Sequence, residues 1–222
     1  MEVSQKKIKG FTLLELMIVL AIVSIVSAIG FPNFSSWRAD RAVRITALEL
    51  SNLFTEVYNH TQSSSYPFVQ VLIDSRENEI LVIGNGISSD EYGNALFNNQ
   101  NGRLACGVGN SGNIGNGDDN VWRQINMRPL RTTNVLFSFI DRVGVCFSKN
   151  TSHYRINAET TAFSDNSIIL CPKSVMNGGE VCNIDHLENE GTNYPAYQLR
   201  WSRFSNINLF KYNHTTDVWI LQ

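Results

Sequence analysis

The sequence is poor in the compact motifs that carry metal or nucleophilic chemistry. It has no Cys-x-x-Cys pair, no His-Glu-x-x-His array, no Gly-x-Ser-x-Gly elbow and no phosphate-binding loop. Those absences remove the usual sequence signatures of zinc, redox, hydrolase and nucleotide chemistry. His60, His153, His186 and His214 are scattered. Cys182 and His186 have the spacing of two ligands on a helix, but cysteine arithmetic assigns Cys182 to a disulfide instead. Asp118, Asp119 and Asn120 offer too few oxygens for calcium, which takes six to eight, and read as a solvated loop. No metal, no cofactor and no enzymatic activity are expected. A net charge of −2 over 222 residues gives no global pull toward nucleic acid or an anionic surface.

One scarcity is local. From Phe11 to Phe31 the chain reads FTLLELMIVLAIVSIVSAIGF, with Glu15 its single charge. As a helix, at about 1.5 Å per residue, this run crosses a hydrocarbon core roughly 30 Å thick. Lys6, Lys7 and Lys9 precede it, so the positive-inside rule keeps the N-terminus cytoplasmic and exports the rest. Three readings compete: an ordinary secretory signal cut after Val26-Ser27-Ala28, a plain uncleaved anchor, and an anchor processed at its mouth. The first two leave Glu15 unexplained, because a carboxylate entering a membrane is costly unless it has a partner.

Gly10-Phe11-Thr12-Leu13-Leu14-Glu15 resembles the processing site of type IV prepilins and of the pseudopilins of type II secretion. Leu16 and Met17 continue the match. The resemblance implies that a prepilin peptidase cuts between Gly10 and Phe11, and that the new Phe11 amine is N-methylated. Glu15 lies four residues on, one helical turn away and on the same face. The resemblance makes it the assembly carboxylate, pairing with the amine of a neighbouring subunit. Methylation keeps the positive charge, so the pairing survives it. Gly30 and Pro32 stand where pilins often carry a helix kink, and a proline that removes a backbone hydrogen bond provides one; the alternative is that Pro32 ends the membrane helix.

After Pro32, Val43, Ala47, Leu50, Phe54 and Val57 form one apolar stripe on an amphipathic helix, with Arg38, Asp40, Arg41, Arg44 and Glu49 on its other faces. The Ser-rich stretch before Pro67 stops it. Strand patterns follow at Phe68–Ile73, Glu79–Ile83, Val135–Phe139, Val143–Phe147, Tyr154–Ile156, Ile168–Leu170, Tyr197–Trp201, Ile207–Tyr212 and Val218–Leu221. The last two flank Asn213-His214-Thr215-Thr216 as a hairpin. The predicted organisation is a leader over 1–10, a transmembrane helix over 11–32 and an amphipathic helix over 33–62. An exported antiparallel β domain occupies 63–222, with an Asn/Gly-rich insertion over 84–134. The fold class is α+β, a long kinked helix laid on one face of an antiparallel sheet.

Cys106, Cys146, Cys171 and Cys182 all fall on the exported side, where an even count favours disulfides. Three connectivities exist. Cys171 and Cys182 flank a short segment with Pro172 and Gly178-Gly179, which favours that bridge and leaves Cys106 with Cys146.

Within the family, an Arg/Ala-rich helix leading into a hairpin, then strands ending in Ile-Leu-Cys, resembles the GspH/FimT group of minor pilins and pseudopilins. The Asn/Gly insertion departs from that group's compact form. The implied partners are the prepilin peptidase, other pilins or pseudopilins in a filament, the inner-membrane assembly platform and membrane lipid. DNA or secreted cargo are candidates for the globular domain. The implied location is the bacterial inner membrane, then a periplasmic pseudopilus or cell-surface pilus. Arg200, Arg203 and Lys211, interleaved with Trp201 and Phe204, are a candidate DNA contact, set against the simpler reading of an outward strand face.

Overall fold

In the computed structural model a single helix, α1, runs over Leu13–Gln62. The structure describes residues 11–62, 66–75, 79–90, 123–139, 142–149, 154–156, 166–175, 181–182, 194–202 and 206–222, but not the side chains of 28–33, 142, 154–156 and 175. The chain divides into two units, Met1–Arg38 and Ala39–Gln222, and each is described by itself. Gly30 and Pro32 both fall inside α1 rather than at its end, so the helix does not stop where the apolar run does. It closes at Gln62, where Thr61 Oγ1 donates to the Tyr58 carbonyl at 2.7 Å.

In the second unit the strands form two antiparallel sheets, where the sequence suggested one. Sheet A contains β1 (Phe68–Asp74), β2 (Ile80–Ile87), β3 (Arg123–Gln124), β4 (Leu130–Thr132), β6 (Arg142–Ser148) and β7 (Tyr154–Ile156). Its order is β3-β2-β1-β6-β7, with β4 also beside β2. Sheet B contains β5 (Val135–Phe137), β8 (Ser167–Pro172), β9 (Tyr197–Trp201), β10 (Ile207–Asn213) and β11 (Val218–Leu221), ordered β11-β10-β9-β8-β5. The predicted strand segments are all present. The boundaries of the Asn/Gly insertion are not as expected: β2 continues through Gly84 to Ile87, and residues 123–132 return to pair with it.

The predicted stripe seats α1. Val43, Ala47, Leu50, Phe54 and Val57 are all fully buried. They share one core with Val69, Val71, Ile73, Val143, Val145 and Phe147 of sheet A, and with Phe137, Ile168, Leu170, Tyr197, Leu199 and Trp201 of sheet B. Phe54 joins the two sheets directly, its ring 6.0 Å from Phe147 and 5.4 Å from Trp201. Strand alternation sends the intervening residues of sheet B the other way. Leu136, Ile169, Cys171, Ala196 and Tyr212 form a second core there with Cys182 and Tyr194. The Cys171–Cys182 disulfide, with Cα atoms 5.8 Å apart, staples this outer layer. Cys146 is also disulfide-bonded; its expected partner, Cys106, lies outside the described residues.

A glycine sets how closely helix and sheet A approach. At Gly84 a Cβ would overlap Met127 Sδ and come within 2.7 Å of Val57 Cγ2, so a glycine that reads as a strand breaker is required by the packing. A polar clamp holds the other flank. Lys211 Nζ on β10 lies 2.9 Å from Asp40 Oδ1 on α1, and Tyr197 Oη donates to the same oxygen at 3.1 Å. Burial, then the Asp40 charge, raises the Tyr197 pKa above 10.0. Burial pulls Lys211 down, but its hydrogen bond to Asp40 and the charges of Tyr197 and Asp40 outweigh it and leave its pKa above 10.5.

Two outcomes follow from this packing. Gly84→Ala is expected to destabilise the protein by about 1–3 kcal/mol in urea unfolding, as overpacking does, although alanine normally favours a strand over glycine. For the clamp, both pKa values are raised on folding. Its stabilisation is therefore complete below about pH 10 and is lost as pH rises through the folded-state values. Tyr197→Phe should lose less stability than the parent between pH 9 and pH 11.5; equal losses in the two proteins would show that Tyr197 does not drive the alkaline transition.

Candidate processing and assembly site

Thr12 and Glu15 build the start of α1. The helix begins at Leu13, and the Glu15 amide donates to Thr12 Oγ1 at 3.2 Å while the Leu16 amide donates to the Thr12 carbonyl at 3.2 Å. Thr12 is thus the N-cap, and Thr-Leu-Leu-Glu has the spacing of a capping box. That role was legible as Thr-x-x-Glu but is easily overlooked beside the processing motif. Glu15 sits in the first turn, where the helix dipole favours negative charge. Its side chain is exposed, and among the described residues its carboxylate has no hydrogen bond or ion pair. Phe11 is outside the helix and 83% exposed. Gly10 and the leader lie outside the described residues.

Beyond Glu15 the helix is apolar on every side. Leu13, Leu14, Leu16, Met17, Ile18, Val19, Leu20, Ile22, Val23, Ile25 and Val26 are each between 49 and 76% exposed, so no core among the described residues buries them. Ser24, a polar residue in the run, donates its hydroxyl to the Leu20 carbonyl at 2.8 Å, so it leaves no unpaired donor in an apolar setting. No helix among the described residues is long and apolar enough to cross a membrane; the described side chains of the apolar run stop at Ser27, short of its end at Phe31.

The basic-aromatic candidate near the end of the chain does not form one patch. Lys211 pairs across the ladder with Tyr197, on the helix-facing side of sheet B, and is held by Asp40. Arg200 pairs with Asn208 and Ser167, on the opposite face. Its Nε donates to Gln198 Oε1 at 2.8 Å, and its guanidinium lies 5.0 Å from the Phe210 ring centre. Trp201 is buried. Arg203, and with it the Asp118–Asp119–Asn120 cluster, lies outside the described residues. Of the histidines, His60 and His214 are described. His214 Nε2 is 2.6 Å from the Tyr194 carbonyl, and its ring packs on Tyr212 at 4.9 Å, which accounts for it structurally.

Residues 5–31 match the family model of the prokaryotic N-terminal methylation motif. No curated protein and no solved structure matches the chain. The matched segment holds Gly10, Phe11, Thr12 and Glu15, and so includes the capped, acid-bearing start of α1. The match covers the N-terminal segment alone, and there it supports a type IV prepilin-like start of the kind that prepilin peptidase processes.

Proposed function

We propose that this chain is a low-abundance structural subunit, a minor pilin or pseudopilin, of a type IV pilus or a type II secretion pseudopilus. The observation that carries the proposal is the bare apolar helix that follows Glu15. Burying one large aliphatic side chain contributes about 1.5–3 kcal/mol, so a full ring of them along the exposed helix demands lipid or other helices. In this reading the segment Phe11–Phe31 anchors the precursor in the inner membrane, with the leader in the cytoplasm and the two-sheet domain outside. Peptidase cleavage removes the leader and exposes the Phe11 amine, which is then N-methylated.

Assembly transfers the apolar helix from lipid to a helix bundle. Glu15 gives that transfer a register: its carboxylate, without a partner among the described residues, pairs with the methylated amine of a neighbour. The work is structural rather than catalytic. The GspH/FimT resemblance supports a minor subunit, and the two-sheet domain with its stapled outer layer supplies the surface presented to cargo or to the filament tip.

Mass analysis of the mature protein tests the processing step. An N-methylated chain starting at Phe11 is expected, and one starting at Ile29 would establish an ordinary secretory signal instead. Glu15→Ala is expected to insert and to be cleaved normally but to enter filaments poorly, by tenfold or more in sheared-filament yield. Parental incorporation of that variant would refute the pairing.

A further inference from the structure

Sheet B ends at β11, and among the described residues no strand pairs with that edge. Val218, Ile220 and Leu221 are 50, 45 and 59% exposed, whereas all three side chains of β5, at the sheet's other end, are buried. Val-Trp-Ile-Leu contains none of the charges or prolines that normally guard an edge strand. Its outward main-chain groups can be assigned. The Gln222 amide donates to the Leu209 carbonyl at 2.9 Å, within a register that pairs Lys211 with Ile220 and Tyr212 with Trp219. Antiparallel alternation then turns the amides and carbonyls of Val218 and Ile220 toward β10, and those of Trp219 and Leu221 outward. Asp217 cannot extend the edge, because its φ of 51° takes it out of the strand conformation.

We propose that β11 is a self-association edge, joining two copies of this chain antiparallel about a twofold axis through Ile220. Among the described residues β11 is the exposed edge strand of sheet B, and a β11-to-β11 contact is isologous and closes at two. A twofold axis perpendicular to the sheet pairs residues of the same face and passes through either Trp219 or Ile220. The Trp219 axis sets Asp217 opposite Leu221 and needs Asp217 extended, which its backbone denies. The Ile220 axis sets Trp219 opposite Leu221 of the second copy. Both residues carry outward groups, so this pairing makes four main-chain hydrogen bonds, and it places Ile220 against its own copy. β11 contributes no charge to either face, and Lys211, beside Ile220, is neutralised by Asp40. The inference goes beyond the filament reading and does not depend on it.

The register makes a sharp test in the full-length protein in detergent. Ile220 and its copy form a non-hydrogen-bonded pair, with Cα atoms about 4.5 Å apart, inside disulfide reach. Val218 and its copy are offset by four residues, about 13 Å along the strands. Under mild oxidation the Ile220→Cys variant is expected to cross-link to dimer, while Val218→Cys remains monomeric. Light scattering should show a concentration-dependent dimer that Ile220→Lys abolishes and Glu15→Ala retains. Cross-linking absent at 220, cross-linking equal at 218 and 220, or a dimer unchanged by Ile220→Lys would overturn the proposal. Loss of the dimer in Glu15→Ala would also overturn it, by assigning the association to the N-terminal helix.

Discussion

The contact on which the rest of the second unit depends is the seat of α1 between two sheets. A single apolar stripe, Val43 to Val57, is buried against both, and Phe54 touches an aromatic ring in each. Two antiparallel sheets need a common apolar surface to lie on, and here a helix provides it. The close approach at Gly84 and the clamp at Asp40 fix the two flanks of that seat, one by the absence of a side chain and the other by charge. The clamp is half-exposed, and exposed ion pairs contribute little; its value is in orientation, because it ties one strand of sheet B to one turn of the helix.

Much of this was legible in the residues. Period-2 alternation marks β9 and short apolar runs mark β1, β6 and β8, because each has a face that must be apolar, and the spacing of four and three marks the stripe on α1 for the same reason. The division into two sheets was not legible, since alternation reports that a strand has two faces and says nothing about which strand lies beside it. The short strands β3 and β4 are too brief to show a period. The end of β2 was hidden for a different cause: Gly84-Asn85-Gly86 looks like a loop, yet Asn85 is buried and its Nδ2 donates to Gln70 Oε1 across the ladder at 3.2 Å, while the glycines make room for neighbouring side chains.

The site near the N-terminus was readable for the opposite reason. Its signature is local, with a methylation motif, a cap and an acid in one short segment, and needs no tertiary contact to assemble. Arg200 and Lys211 failed as a cluster because their meaning is tertiary. They sit close in sequence on neighbouring strands, but the register of β9 and β10 sends one to the helix side and the other away from it. Proximity in sequence survives folding along a helix turn and is lost across a pleated sheet.

The position of the Cys171–Cys182 staple has a consequence for biogenesis. Sheet B separates it from α1: Leu170 faces the helix and Cys171 faces the outer core. Oxidation and helix docking therefore act on opposite sides of one sheet and share no packing layer. An oxidant can close the outer layer before or after the helix is seated, and a reductant that opened it would loosen that layer while leaving the bed of the helix in place. Thiol chemistry and helix docking are thus separate checks on the same domain.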